Sequence, residues 1–440
     1  MQTIMTMTDT LIFAPYILPM TETPVVLRDY ALHIRQREII DIIPQEKAQS
    51  IAHAQRVSLP NHVLMPGLIN LHGHSAMTLL RGYADDLVLM DWLNQHIWPA
   101  EGQFADGAFV YDGTLIAMAE MIRGGTTTIN DMYFFHADVA KAALRMGMRT
   151  FVGASVLEFP NRYAQNADEY IEKALQAQAD FLGEDLVRFV LAPHAPYTVS
   201  DQTFRKIVDL AEKNDFLIHC HIHETQDEIS GSLKEYNMRP LQRLERLGLL
   251  SDRLIAAHMV HLTEEEIELT AQRKVAVAHN PSSNMKLASG CAPVQKLLNA
   301  GVCVGIGTDG AASNNKLDMF AETRLAALIA KGFSGCPTDL KAYDALKSAT
   351  ILGAQALHME DKIGSLEAGK WADIIAVDLG EIETQPLFDP ISHLVYAADR
   401  SQVSDVWING QRVLQQRHLI PMEMDELKNI AHQWQKKMRP

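Results

Sequence analysis

Between roughly residues 64 and 365 one pattern repeats along the chain. A short apolar run ends in small or polar residues, and in most cases a stretch of helical periodicity separates it from the next run. The runs are LMPGLINLHGH, GTTTINDM, RTFVGASVL, VRFVLAPHAPY, FLIHCHIHE, LIAAHMVH, VAVAHNPSSN and CVGIGTDG. Apolar runs of this length predict buried strands. GAFVYDGTLIAMAEMIRGG, ADVAKAALRMGM, ADEYIEKALQAQADFLG and SDQTFRKIVDLAEKND place apolar residues three and four apart and predict helices between them. An open doubly wound sheet would also alternate in this way. Eight strand–helix units in about 300 residues fit a closed (β/α)8 TIM barrel better.

The ends of the chain read differently. TLIFAPYIL, VVLRDYALHI and REIIDIIP near the start are short, β-branched and separated by turn residues. At the far end, WADIIAVDL (371–379) has the character of a buried strand, and VSDVWINGQRVL carries Asn409-Gly410, a hairpin turn signal. The expectation is a small composite β-sandwich built from both ends, residues 1–63 and 366–440, around a barrel at 64–365. A helix closes the chain.

Composition narrows the function. The formal net charge is −15, which disfavours phosphate backbones and anionic lipid, so neither nucleic acid nor membrane is an expected partner. The four cysteines, Cys220, Cys291, Cys303 and Cys336, form no CxxC pair and indicate neither a disulfide framework nor a cysteine zinc site. The N-terminal stretch has apolar patches but no basic segment before them, so no signal peptide or membrane span is expected. A reducing cytoplasm is the expected setting.

The chemistry gathers at the ends of the predicted strands, where a barrel carries its active site. The first strand ends in His72-Gly73-His74. Residues two apart on a strand share a face, so both imidazoles can meet one ion. The fourth strand ends at His194, and the fifth in His219, His221, His223 and Glu224. The sixth offers His258, the seventh His279 and the eighth Asp309. One buried histidine is ordinarily a packing residue, and His33, His53, His358, His393, His418 and His432 are read so. Histidines and a carboxylate at the same end of consecutive strands suit a borderline divalent ion such as zinc. A catalytic zinc lowers the pKa of a bound water from about 15.7 to about 7. Glu224 and Asp309 are the candidate proton carriers. The fourth strand has no lysine to bridge two metals, so a single ion is expected. Strand geometry leaves the choice among His219, His221 and His223 open.

Several motifs together resemble the amidohydrolase superfamily, in its mononuclear, adenosine- and cytosine-deaminase-like branch. They are HGH after MPGLIN, HIHE, AAHMVHL, HNPSSNMKL, GTDGAASNNKLDMF and the closing GSLEAGKWADIIAVDL. RGYADDLVLMDWLNQHIWPAE narrows the likeness to the 5-methylthioadenosine/S-adenosylhomocysteine deaminases and their triazine-hydrolase relatives. The resemblance covers essentially the whole chain. It implies one zinc ion on His72, His74, His221 and Asp309, the His-x-x-Glu spacing selecting His221 with Glu224. By the same resemblance Glu224 protonates the adenine ring, Asp309 moves the proton of the attacking water to the departing amine, and His258 supports the developing oxygen charge. Glu101 would hold the ribose hydroxyls and His194 would contact the nucleoside, with His279 and Asn284 lining the pocket. The resemblance also implies a homo-oligomer.

The expected reaction is hydrolytic deamination of 5'-methylthioadenosine, S-adenosylhomocysteine, or both, to the inosine analogue and ammonia. The alternative is a hydrolase of another ring: adenosine, guanine, a pterin or a triazine. Ser313-Asn314-Asn315 is expected to cap a helix before it contacts substrate. GASVLEFPNRYAQ offers only Arg162 for a homocysteine carboxylate, which favours methylthioadenosine.

Overall fold

The computed structural model describes residues 9–439. Eight parallel strands pair in chain order: β1 (Leu68–Gly73), β2 (Thr126–Tyr133), β3 (Arg149–Val156), β4 (Val187–Pro193), β5 (Ile218–Ile222), β6 (Leu254–His258), β7 (Ala276–His279) and β8 (Val304–Ile306). β2 and β3 bury every residue, as strands covered on both faces must. Five helices around the barrel begin at side-chain caps. Asp106, Asn166, Ser200, Thr225 and Thr263 each accept a backbone amide of the first turn. Ile69, Leu71, Phe151, Val190, Ile255 and Ala278, from five of the strands, share one apolar cluster that fills the barrel. The C-terminal strand ends are left to polar side chains.

The seam between β8 and β1 decides where the site forms. Thr308 N donates to Asn70 Oδ1 at 3.0 Å, and Asn70 Nδ2 donates to Thr308 Oγ1 at 2.7 Å. Just beyond, Asp309 N donates to His72 O at 2.9 Å. This approach needs Gly307, because a Cβ there would lie 2.8 Å from His72 N and 2.4 Å from Asn280 Oδ1. The barrel therefore closes as a (β/α)8 fold with its first and last strands in direct contact.

The two chain ends form two facing sheets. One holds Glu38–Pro44, Tyr30–Arg35, Asp9–Phe13 and Gln55–Ser58. In the other, Ile374–Asp378 runs antiparallel to His62–Pro66, with Ile374 opposite Pro66. Ile12, Leu32, Leu64, Ile374 and Trp407 pack between the sheets. Leu64–Pro66 thus belongs to this layer, and the barrel begins two residues later. Asn409 (φ 52°) and Gly410 (φ 74°) turn the hairpin between Val403–Ile408 and Gln411–Gln415, the two positive φ values that a tight hairpin of this kind needs. A buried pair, Arg149 with Asp373, fastens β3 to this domain through bonds of 2.9 and 3.0 Å. The C-terminal helix Met424–Met438 docks on the barrel helix Gly107–Arg123 through Trp434, which meets Phe109 edge to face and donates to Asp112 at 2.7 Å. No helix among the described residues is long and apolar enough to cross a membrane.

Candidate active site

Four side chains from three strand ends converge at the barrel mouth. Asp309 Oδ1 lies 3.1 Å from His74 Nε2 and 3.3 Å from His72 Nε2, and His221 Nε2 lies 3.4 Å from His74 Nε2. Strand alternation alone does not account for this, because the β1–β2 ladder breaks register between Asn70 and Gly73. A tight turn at Asp309, with φ 60°, swings its carboxylate back over β1. Ser283 and Ser313 hold the other oxygen, Oδ2, at 2.6 and 2.9 Å, while Gly310 N donates to Oδ1 at 2.8 Å.

The protonation pattern shows what this cluster fits. His74 Nδ1–H donates to Met132 O and His221 Nδ1–H to His194 O, both at 2.7 Å, so each ring presents a lone pair at Nε2. His72 Nε2 is buried without a hydrogen-bond partner. Lone pairs and a carboxylate oxygen this close repel unless a cation sits among them. Burial lowers the pKa of His74, but the hydrogen bond and charge of Asp309 outweigh it and bring the ring to about 9, so without an ion a proton bridges the two at Nε2, the place a bound cation would take. Burial likewise presses Asp309 upward, and the two histidines pull it well below the usual carboxylate range. Tetrahedral zinc with bonds of about 2.0–2.1 Å needs donors about 3.3 Å apart, the spacing found here.

Of the three histidines on the fifth strand, the structure gives each a separate place. His221 joins the cluster. His219, two residues earlier, lies deeper, where its Nε2 meets His72 Nδ1 at 2.9 Å and Asn130 packs at 3.1 Å against its other nitrogen. His223 falls past the strand end with φ 56° and turns away, bonding His261 O and Leu241 N. His258 adjoins the cluster, its ring 5.5 Å from those of His72 and His221, with its Nδ1 2.8 Å from Asn284 Oδ1 and its Nε2 3.8 Å from Glu224 Oε2. Glu224 is buried on the pocket wall, and burial raises its pKa. It is not the cap of the following helix, a role that falls to Thr225. Its backbone is held instead by Glu228, whose carboxylate accepts from the amides of His223 and Glu224, each at 2.9 Å.

Other expected residues are placed less directly. His194 lines the cavity, its ring 4.8 Å from that of His221, and burial lowers its pKa to about 3. Asn284 stands behind His258 rather than on the pocket wall, and His279 is buried outside the lining. Ser313 anchors Asp309, and the helix that follows, Met319–Ser334, is capped by Asp318, so the Ser313-Asn314-Asn315 run does not act as its cap.

A cavity of about 350 Å³ leads from this cluster to Glu101 on the short helix Trp98–Phe104. Tyr133, the last residue of β2, donates to Glu101 Oε1 at 2.6 Å. Burial raises the pKa of Glu101 to about 6, against the opposing hydrogen bond of Tyr133. Tyr133, Ser283 and Glu228 carry no signal of their own in the sequence, because only the folded loops bring them to the site.

Fold and site together define a metal-dependent barrel hydrolase. Residues 63–413 match the amidohydrolase family model, and the chain belongs to that family. It is 44% identical over 426 residues to a 5-methylthioadenosine/S-adenosylhomocysteine deaminase of Teredinibacter turnerae, covering 97% of this chain and 96% of that protein. The crystal structure of a zinc-bound adenosine deaminase from Xanthomonas campestris is 48% identical and superposes with a TM-score of 0.97 over 98% of this chain and 99% of that one. The zinc-complexed atrazine chlorohydrolase of Arthrobacter aurescens, 24% identical with a TM-score of 0.90 over 97% and 99% of the two chains, shares the fold.

Proposed function

We propose that this chain is a zinc-dependent deaminase of adenine nucleosides with a 5'-thioether. It converts 5'-methylthioadenosine, S-adenosylhomocysteine, or both, to the inosine analogue and ammonia. The observation that carries the reading is the cavity with a cation-seeking donor cluster at one end and a buried carboxylate, Glu101, at the other. The deaminase names of relatives 41–44% identical over most of the chain support it.

His72, His74, His221 and Asp309 would hold the ion. Zinc, when bound, lowers the pKa of a water kept in its open position. Glu224, its pKa raised by burial, keeps a proton to give to the ring nitrogen beside the exocyclic amine. That proton makes the adjacent carbon electrophilic. Asp309, with Oδ2 pinned by two serine hydroxyls, takes the proton of the attacking water and passes it to the departing amine. His258, held at Nδ1 by Asn284, turns its Nε2 toward the pocket, where it steadies the developing oxygen charge. Glu101 accepts two ribose hydroxyls, and the hydroxyl of Tyr133 holds it in place. Rings without a sugar would leave that carboxylate without its donors, which favours nucleosides over guanine, pterins and triazines.

The acidic chain and its four free cysteines support a small-molecule enzyme of a reducing cytoplasm that meets no nucleic acid. The test is a panel of nucleosides, free bases and triazines on zinc-loaded protein, scored by ammonia release. Turnover of methylthioadenosine is expected. Turnover of a free base or a triazine, with methylthioadenosine untouched, would replace this reading.

A further inference from the structure

The two hydroxyls that grip Asp309 Oδ2 come from separate loops. Ser283 lies on the short helix Pro281–Lys286 after β7, and Ser313 lies in the loop after β8. The cap position of the short helix, Asn280, makes no side-chain bond to its first turn. A carboxylate outside the cavity wall joins the two loops instead. It belongs to Glu322, in the first turn of the helix Met319–Ser334. Its Oε2 accepts from Ser282 N at 3.0 Å, and its Oε1 accepts from Asn314 Nδ2 at 2.9 Å. Asn314 gives its other amide hydrogen to Thr308 O at 2.7 Å. Each oxygen of Glu322 thus holds the chain neighbour of one gripping serine.

The two groups that Glu322 bridges are both N–H donors, so the bridge must accept at both ends. A carboxylate does so. A glutamine of the same shape would accept at one end and turn its own N–H against a donor at the other. Burying a carboxylate costs folding free energy. Glu322 is only 1% exposed, and burial lifts its pKa to about 7 against the hydrogen bonds of Ser282 and Asn314. The positive end of its own helix offsets part of that cost. An apolar side chain would fill the space without it. What the carboxylate adds is a fixed separation between the loops that carry Ser283 and Ser313.

We infer that Glu322 is a positioning residue: by bracketing the loops after β7 and β8 it keeps both serine hydroxyls on Asp309 Oδ2, and so keeps Oδ1 directed at the metal-binding histidines. For the reaction that this serves, the inference rests on the deaminase reading above.

Zinc affinity of the full-length protein, measured by competition with a chelator, tests it beside kcat and KM for methylthioadenosine. All are read at about pH 8, where Glu322 is mostly ionised. Glu322→Gln is expected to weaken zinc binding about tenfold and, at saturating zinc, to lower kcat about tenfold with KM changed less than about twofold. In a Ser283→Ala/Ser313→Ala background the grip is already gone, and the same change is expected to move zinc affinity less than about twofold. A purely structural role predicts equal losses in the two backgrounds. That result, or wild-type zinc affinity and kcat in Glu322→Gln, would overturn the proposal. Asn314→Ala opens the bracket at its other end and is expected to give the same coupled loss, so it decides the matter if Glu322→Gln does not fold. The coupled loss of zinc affinity, without ammonia from any adenine nucleoside, would uphold the bracket and overturn the deaminase reading.

Discussion

Asp309 Oδ1 sits 3.1 Å from His74 Nε2, across the seam where the last barrel strand meets the first. With His72 and His221 this contact makes a four-donor cluster whose lone pairs face inward. Chelation is therefore expected to abolish ammonia release, and zinc to restore it. The holoprotein is expected to melt higher than the chelated one, since a ligand at a hundredfold excess over its Kd adds about 2.7 kcal/mol. Scanning calorimetry with and without zinc measures this. Identical melting curves, together with activity retained in chelator, would remove the metal from the site.

Glu224→Gln removes the proton carried to the ring and leaves the four donors untouched. Zinc content is expected to stay at one ion per chain while kcat falls about 10²- to 10⁴-fold. Metal analysis beside steady-state kinetics checks both halves. A variant at the wild-type rate would assign the proton transfer to another group.

Burial lifts Glu101 to a pKa of about 6, with the Tyr133 hydroxyl and the charge of His74 opposing the rise. The ionised carboxylate is the form that accepts ribose hydroxyls, and it is lost as pH falls through about 6. KM for methylthioadenosine is expected to climb on that acid limb, while a 2',3'-dideoxy analogue shows little change. Tyr133→Phe is expected to raise nucleoside KM with less effect on kcat. A pH-independent KM from 5 to 8 would exclude Glu101 as the ribose acceptor.

His258 depends on Asn284, which fixes its Nδ1 at 2.8 Å. Asn284→Ala is expected to leave zinc bound and to lower kcat about 10²-fold, the order found when a preorganised donor is lost. An unchanged kcat would show that the ring needs no such support.

Asn70 bridges the seam with two bonds to Thr308, both buried. Asn70→Ala strands the Thr308 amide and is expected to cost about 2–3 kcal/mol by denaturant unfolding. The same change loosens the register that sets His72 against Asp309, so zinc affinity is expected to fall with stability. A loss of stability without any loss of affinity would separate the seam from the site.

Much of this molecule is legible in its sequence because the underlying signals are local. Eight apolar runs alternating with helical periodicity describe a barrel, since each run needs only its own residues to become a buried strand. Asn409-Gly410 announces a hairpin through two φ values. The concentration of histidines at strand ends is also visible, because strand order alone places those ends at one face.

The sequence by itself thus determined the layered architecture and the set of residues available at the mouth. Only the tertiary structure decided which of them meet. His219, His221 and His223 are equivalent by alternation, yet one backs His72, one enters the donor cluster and one turns away where the strand stops. The partnership of His72 with Asp309, the grip of Ser283 on that carboxylate and the pairing of Tyr133 with Glu101 join residues distant in sequence. Such contacts depend on strand register, on the closure of β8 against β1 and on the left-handed turns at Asp309 and His223. These are properties of the closed barrel, set by backbone pairing across the whole sheet, and no local window of sequence contains them.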